Sequence, residues 1–471
     1  MQFRQARMPW LSICLLPMRI LPENPQRPKQ IGGKEDFLEV KRKVSSPVGE
    51  FAAKLAQIFG TGLKTQKFIV SHAGKQHSYH LAFALRMLEK LQGFYTSSYI
   101  EQAWLQKLVL NSGNQFFTRR FKEGLSAPFV CSHWGFELKE TILRKLQGKS
   151  LAVQNQVYKR DVDFDLMMAR KLPNIKSSHF WGFQGSCHAS LQAAKDSGKI
   201  AICELATAHV IQAKKILSEE AKLQPDWADS IDNLYFPPAY EKRLEEEPQR
   251  ADVVIAASGF TKWTLTESGI AAEKVKVLPL GFEAEKIPFV LPETRFSKRP
   301  LRLLFAGTAT QRKGISYLLE AMQLIGQTRD IELHVVGGIQ GSGNAFWRNK
   351  AHFKYHTAVS QYEMFRLYQE YDALVLPTVF EGFGLVIVEA MAAGLPVITT
   401  AHSMGPEVIE TGKNGWLIPI RDAKAIENAI ISLRNLDDDQ YLQMRQNARN
   451  SALAFTWNKY AENLENLCES M

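Results

Sequence analysis

Two periodicities alternate along this chain. The run Lys67-Phe68-Ile69-Val70 reads as a strand, and a short turn, Ser71-His72-Ala73-Gly74, leads to Leu81, Leu85 and Leu88 on one helical stripe. Runs of the same strand type recur at Ala127-Pro128-Phe129-Val130, Ile200-Ala201-Ile202-Cys203 and Val253-Val254-Ile255-Ala256, with helical segments between them. Apolar strands alternating with helices predict a parallel sheet covered on both faces. Between Pro279 and Pro300 the periodicity lapses, with Pro288 and Pro292 inside the gap, and this stretch reads as a linker.

The alternation then restarts. Strand Leu301 to Ala306, a turn from Gly307 to Gly314, a helix from Ile315 to Ile325 and strand Ile331 to Val336 follow in order. Strand Ala373 to Leu376, a helix from about Leu385 to Ala393 and strand Pro396 to Thr399 come later. The expected class is α/β: two tandem Rossmann-like, doubly wound domains, 65–290 and 298–452, facing one another across a cleft. Residues 453–471 read as a closing amphipathic helix, with Thr456 as its N-cap and Tyr460, Leu464 and Leu467 on its apolar side.

Composition narrows the class. A chain of 471 residues exceeds one ordinary core, and 45% apolar with 23% charged residues is globular. No apolar run reaches the roughly 20 residues that span a bilayer. The net charge is +10, and residues 1–64 hold eleven Lys or Arg against five acids, so they read as a basic, poorly ordered extension. Arg4 and Arg7 ahead of Trp10 to Leu16 imitate a secretory leader, but Pro17 interrupts the run and no small-residue cleavage site follows. Ile13 is too bulky ahead of Cys14 for a lipoprotein box.

Cys14, Cys131, Cys187, Cys203 and Cys468 are scattered and odd in number, which suits a reducing compartment without a disulfide framework or zinc site. A cytoplasmic location is expected. Arg119-Arg120-Phe121-Lys122 mixes cations with an aromatic and suggests weak, salt-sensitive peripheral contact at the inner membrane face. No pattern for reading nucleic acid is present.

The chemistry concentrates in two turns. Glu381-Gly382-Phe383-Gly384-Leu385-Val386-Ile387-Val388-Glu389 follows one strand and opens a helix, where ligands of open parallel sheets bind. Gly382 and Gly384 let a ligand approach the backbone, and the amides of Leu385 and Val386 at a helix N-terminus suit a diphosphate. Glu381 can reach a sugar hydroxyl, and Glu389 can accept from a ribose. Its plainer role is to favour the helix start through the helix dipole. The second turn, Gly307-Thr308-Ala309-Thr310-Gln311-Arg312-Lys313-Gly314, sets two cations beside another helix start, where they would stabilise a departing pyrophosphate. Neither turn is a Walker motif or a dinucleotide fingerprint. Asp161-x-Asp163-x-Asp165 has the spacing of a metal-binding acidic triplet but reads as a solvated acidic loop, so no metal and no other cofactor is expected.

Taken in order, these motifs resemble family 4 of the retaining, GT-B-fold glycosyltransferases. Glu381 to Glu389 matches the family's E-x7-E motif, and Phe305-Ala306-Gly307 through Arg312-Lys313-Gly314 its phosphate loop. Ala251 to Ile255 with Ser258, Val277 to Gly281, and Gly405 to Glu410 with Asn414-Gly415 are similar as well. The likeness covers about 250–420 well and is weaker over 65–250. It implies that Arg312 and Lys313 bind the donor diphosphate, that Glu389 binds the ribose, and that Glu381 holds the transferred sugar with backbone help from Phe383 to Val386.

The same resemblance implies that Gly74 lies in the N-terminal turn beside the phosphates. The family's N-domain histidine corresponds here to His209, with Glu204 as the alternative and His188 as a rival. It further implies retention of configuration through an oxocarbenium-like transition state, the leaving phosphate deprotonating the acceptor hydroxyl. The expected activity is transfer of a hexose, such as mannose or glucose, from a nucleotide-diphosphate sugar to a glycan, lipid-linked or small-molecule acceptor. The alternatives are a related epimerase or phosphorylase, or a non-catalytic sugar-nucleotide scaffold. The nucleotide base would be read by loops near Gly337 to Gly343 and Tyr355 to Ser360.

Overall fold

The computed structural model describes residues 66–471 apart from 75–76, 113–114, 149, 232–235, 292–298 and 327–329. The basic extension and the leader-like segment lie outside the described residues. Two all-parallel sheets account for the core. The first contains β1 (Phe68–His72), β2 (Leu91–Thr96), β3 (Val130–Ser132), β4 (His179–Phe183), β5 (Ile200–Leu205), β6 (Val253–Ala256) and β7 (Val275–Val277), in the order β3-β2-β1-β4-β5-β6-β7. The second contains β8 (Leu301–Ala306), β9 (Ile331–Val336), β10 (Lys354–His356), β11 (Ala373–Leu376), β12 (Val397–Thr400) and β13 (Gly415–Ile418), in the order β10-β9-β8-β11-β12-β13. Strand order reverses direction beside β1 in one sheet and beside β8 in the other. Crevices at such switch points are where α/β folds bind ligands.

Central strands are apolar because both their faces are covered: every residue of β1, β4, β11 and β12 is buried. The run expected as a strand over 127–130 is mostly turn. Phe129 N bonds Ser126 O at 3.0 Å, and the strand starts only at Val130. Pro128 has no N–H to give a ladder, which is why pairing waits until the segment has passed it. Strands β2 and β4 escaped the sequence reading because Leu91-Gln92-Gly93 and His179 to Phe183 mix Gly, Gln and aromatics instead of showing an aliphatic run.

The acidic triplet is a correction. Asp161, Asp163 and Asp165 lie within the helix Leu151–Lys171, a stretch without Gly or Pro that Ser150 caps, and they do not form a solvated loop. Asp165 is fully buried and accepts from the amides of Ala189 (2.7 Å) and Ser190 (2.8 Å) at the start of the next helix. It also pairs with Arg243 at 2.8 Å. Asp161 is held by Arg160 at 2.7 Å, and only Asp163 is solvent-exposed. Alternating acids look loop-like by polarity alone, but a buried carboxylate persists where helix amides and a guanidinium satisfy it.

The closing helix, Trp457–Glu469, is capped by Thr456 as expected. It does not stay with the second sheet. Tyr460, Leu464 and Cys468 enter the core of the first, against Phe68, Leu81 and Phe94, and Trp457 stacks on His80 at 3.6 Å between ring centroids.

Between the sheets, helix Val210–Leu223 of the first half meets the helix start Gln311–Ile325 of the second. Glu220, fully buried, accepts from Gln311 Nε2 (2.7 Å), Tyr317 Oη (2.9 Å) and Arg421 Nε (2.6 Å). Ser230 Oγ accepts from Gln311 N at 2.9 Å, and Asp229 accepts from Ser342 N at 2.7 Å.

Two stability measurements check this packing. Leu464→Ala empties a fully buried site and should cost about 2–5 kcal/mol in urea denaturation. Glu220→Ala leaves buried donors without their acceptor and should cost about 3 kcal/mol. The neighbouring Glu219, 59% exposed and paired with the same Arg421, should cost under about 1 kcal/mol when replaced by Ala.

Candidate active site

The site is assembled where β8 and β11 diverge. Beyond β8 the chain turns through Gly307 to the 3-10 turn Gln311–Lys313 and then to Gly314, whose φ is 70°. A side chain at Gly314 would overlap the carbonyl oxygen of Pro377, so the two loops touch backbone to backbone. The carbonyl of Arg312 accepts from Val379 N (2.9 Å), Phe380 N (3.2 Å) and Thr378 Oγ1 (3.1 Å). Its guanidinium returns the contact: Nη1 donates to Phe380 O and to Glu381 Oε2, each at 3.0 Å. Arg312 and Glu381 are therefore joined directly, both side chains mostly buried. Lys313 folds back over Gly307, where an added Cβ would stand 2.5 Å from Nζ.

The glutamate turn is held from three sides. Glu381 N donates to His402 O at 2.9 Å, and Met404 N donates to Phe383 O at 3.0 Å. From the other domain, Ser258 Oγ donates to Gly382 O at 2.6 Å and Thr261 Oγ1 to the same oxygen at 3.1 Å. Ser258 also caps its own helix by accepting from Thr261 N at 3.1 Å. A Cβ on Gly382 would come within 2.5 Å of Ala206 O, so only glycine lets this turn lie against the end of β5. Gly384 is the N-cap of helix Leu385–Ala392, which puts the first amides of Leu385 and Val386 at its positive end.

Glu389 sits on that helix. It accepts from Gln361 Nε2 at 3.0 Å and, more loosely, from Tyr368 Oη at 3.4 Å. Burial pushes its carboxyl up to about 7. Glycines Gly337 to Gly343 and the segment Tyr355 to Ser360 follow β9 and β10, and Tyr355 Oη donates to Gly337 O at 2.9 Å, so the two expected base-reading loops adjoin.

The first-domain candidates stand opposite. His209 follows the Ala206-Thr207 turn that receives Gly382, and caps helix Val210–Leu223. It is fully buried, the Glu245 backbone lies against its ring, and burial outweighs that contact and lowers its pKa to about 4, so the imidazole is neutral. Glu204, at the end of β5, accepts from Trp181 Nε1 at 2.7 Å and bonds His77 Nε2. Gly74 lies beside His72, whose pKa falls well below the usual range through burial and the nearby Arg160 charge. His188 pairs with Glu246 at 2.7 Å on an outer helix.

The structure thus brings Glu381, Arg312 and the Gly382–Gly384 turn together. It shows Glu389 engaged with Gln361 and Tyr368, and Glu204 engaged within its own domain. Sequence reasoning missed His77, Gln311 and Glu220. Their signal is contact across elements, which no local spacing carries.

Comparison with known proteins follows the same line. Residues 288–451 match the family described as glycosyl transferases group 1. The chain is similar to a putative colanic acid biosynthesis glycosyltransferase, WcaL, of Escherichia coli, at 26% identity over 46% of this chain and 54% of that protein. It is similar also to the amylovoran biosynthesis glycosyltransferase AmsK of Erwinia amylovora, at 29% identity over 40% of this chain and 49% of that one. The chain therefore spans about half the length of these curated relatives. Among solved structures, Anabaena HepE in complex with UDP and glucose superposes with a TM-score of 0.54 at 15% identity, covering 86% of this chain and all of that one. Sucrose-phosphate synthase from Thermosynechococcus elongatus gives 0.57 at 18% identity, covering 86% and 98%. The structural likeness fixes a two-domain GT-B fold, and the sequence match makes residues 288–451 similar to the glycosyl transferases group 1 family.

Proposed function

We propose that this chain is a glycosyltransferase that moves a sugar, with retention and without a metal, from a nucleotide-diphosphate sugar to a hydroxyl of a glycan or lipid-linked acceptor. The observation that carries the reading is the direct Arg312–Glu381 contact beneath a helix N-terminus at the switch point of the second sheet. Arg312, Lys313 and the amides of Leu385 and Val386 bind the diphosphate, Glu389 binds the ribose, and Glu381 holds the sugar from below. Transfer breaks the bond between C1 and the diphosphate oxygen and forms one between C1 and the acceptor oxygen. The acceptor proton passes to the departing phosphate. Fixed cations and helix amides stabilise the charge that grows on that phosphate without reorganising. His209 is fully buried, so it backs the turn that receives Gly382 and offers the acceptor no exposed atom.

The named relatives of polysaccharide biosynthesis support a glycan acceptor, and the HepE complex supports UDP as the nucleotide. The scaffold reading is disfavoured because the site keeps both Glu381 and Arg312 in contact.

Two measurements test the assignment. Calorimetric titration of the full chain with UDP, GDP and ADP in EDTA should show one micromolar binder, weakened at least about 10-fold by Arg312→Ala. Transfer by Glu381→Gln should fall by about 100-fold or more, while nucleotide affinity changes little. No binding to any of the three nucleotides would overturn the site. A pH series additionally probes Glu389. The folded-state pKa of Glu389 lies above its usual value, so the residue is largely protonated at pH 6 and ionised by pH 8. Ribose hydroxyls bond better to the ionised form. Affinity should therefore strengthen as pH rises through about 7, and Glu389→Gln should remove that rise.

A further inference from the structure

A second cavity lies in the first domain, beyond the end of β3. It has a volume of about 410 Å³ and is lined by His133, Trp134, Lys139, Lys159, Arg160 and Asp163, among others. That size suits a small ligand or head group. Its charge is cationic, with Asp163 the one carboxylate among the lining residues. Glu140 is already committed to Arg144 and Arg160 (2.6 Å each), and Asp161 to Arg160. Lys139 and Lys159 are exposed and form no ion pair among the described residues. Arg160 also borders the Gly74 turn: an added Cβ there would stand 3.9 Å from Nη2. Arg160 thus connects the cavity to the turn that follows β1.

From this cavity an apolar stripe leads away. Trp134, Leu138, Ile142 and Leu146 recur every fourth residue into and along helix Gly135–Gln147, and are 41%, 61%, 49% and 76% exposed. Single exposed apolar residues are ordinary, but a continuous exposed row on one helix face is not. Both glutamates of the helix turn inward, Glu137 to Arg120 at 2.6 Å and Glu140 to Arg144 and Arg160. The outward surface consequently carries apolar and cationic side chains, including Lys139 and Lys145. The Arg119–Lys122 segment suggested by sequence is not this surface, since Phe121 is buried and Arg120 is spent on Glu137 and the Trp134 ring.

We propose that cavity and stripe together bind a phosphate-bearing lipid, the cations holding the phosphate and the Leu138-Ile142-Leu146 row lying along the hydrocarbon. The cationic, acid-poor outward face selects an anionic amphiphile over a neutral one. This rests on the reading of the first domain as the acceptor side, and it names the acceptor class as lipid-linked, with a phosphate or diphosphate at the join.

The test uses the full chain and vesicles of phosphatidylcholine with or without phosphatidic acid, in co-sedimentation without nucleotide sugar. The chain should sediment with the phosphatidic acid vesicles and not with phosphatidylcholine alone. K139Q/K159Q should weaken binding about 25-fold, near fivefold for each lysine. L138Q/L146Q, which alters only exposed side chains, should weaken it about 10-fold. Nucleotide binding, measured on the same variants, should stay as in the parent chain, so failure here is separable from failure of the donor site. Equal sedimentation with both vesicle types, or wild-type binding by the lysine variant, would overturn the proposal. Wild-type binding by the leucine variant would overturn the part of the proposal that lays the hydrocarbon along the Leu138-Ile142-Leu146 row.

Discussion

The two sheets are held to one another by a carboxylate that water does not reach. Glu220 gathers an amide, a phenol and a guanidinium from the second domain, and a buried charge tolerates its desolvation only when its lone pairs are filled in this way. Gln311, one of its partners, immediately precedes Arg312 and Lys313 and is tied again through its backbone to Ser230. The cations proposed to meet the leaving group are thus fixed in part from the opposite domain. Preorganisation of this kind matters because electrostatic stabilisation is most effective when the charges do not have to move.

A parallel argument applies to the glutamate turn. Its single carbonyl at Gly382 takes two hydroxyl donors from the first domain, and its missing side chain makes room for the end of β5. Donor-side and acceptor-side groups therefore share one small contact surface. A displacement of about 1 Å between reacting groups can cost a large factor in rate, so a turn pinned from both domains serves chemistry as much as stability.

Much of this was legible from the chain. In the second domain the strand Leu301–Ala306, the Gly307–Gly314 turn, the helix Ile315–Ile325 and the strand Ile331–Val336 fall where aliphatic runs and glycines place them. Arg312 and Glu381 were each recognisable from their turns, but not their contact across 69 positions. The first domain was harder. Its strands β2 and β4 lack an aliphatic signature, Pro128 displaced β3, and the acidic triplet turned out helical because its partners, Arg243 and the amides of Ala189 and Ser190, lie far along the chain. Buried polar groups find their partners through the fold, and local pattern holds no record of them.

The return of the Trp457–Glu469 helix to the first core has a mechanical consequence, since the chain passes between the domains twice. The two crossings run side by side: Phe282 N donates to Phe455 O at 3.1 Å, and Gly281 lies against Trp457. The connection between the domains is therefore a paired strap at one place and not a single strand. It also means that cutting the chain at the end of the second domain would not release an intact first domain, because Tyr460, Leu464 and Cys468 would leave with the excised tail.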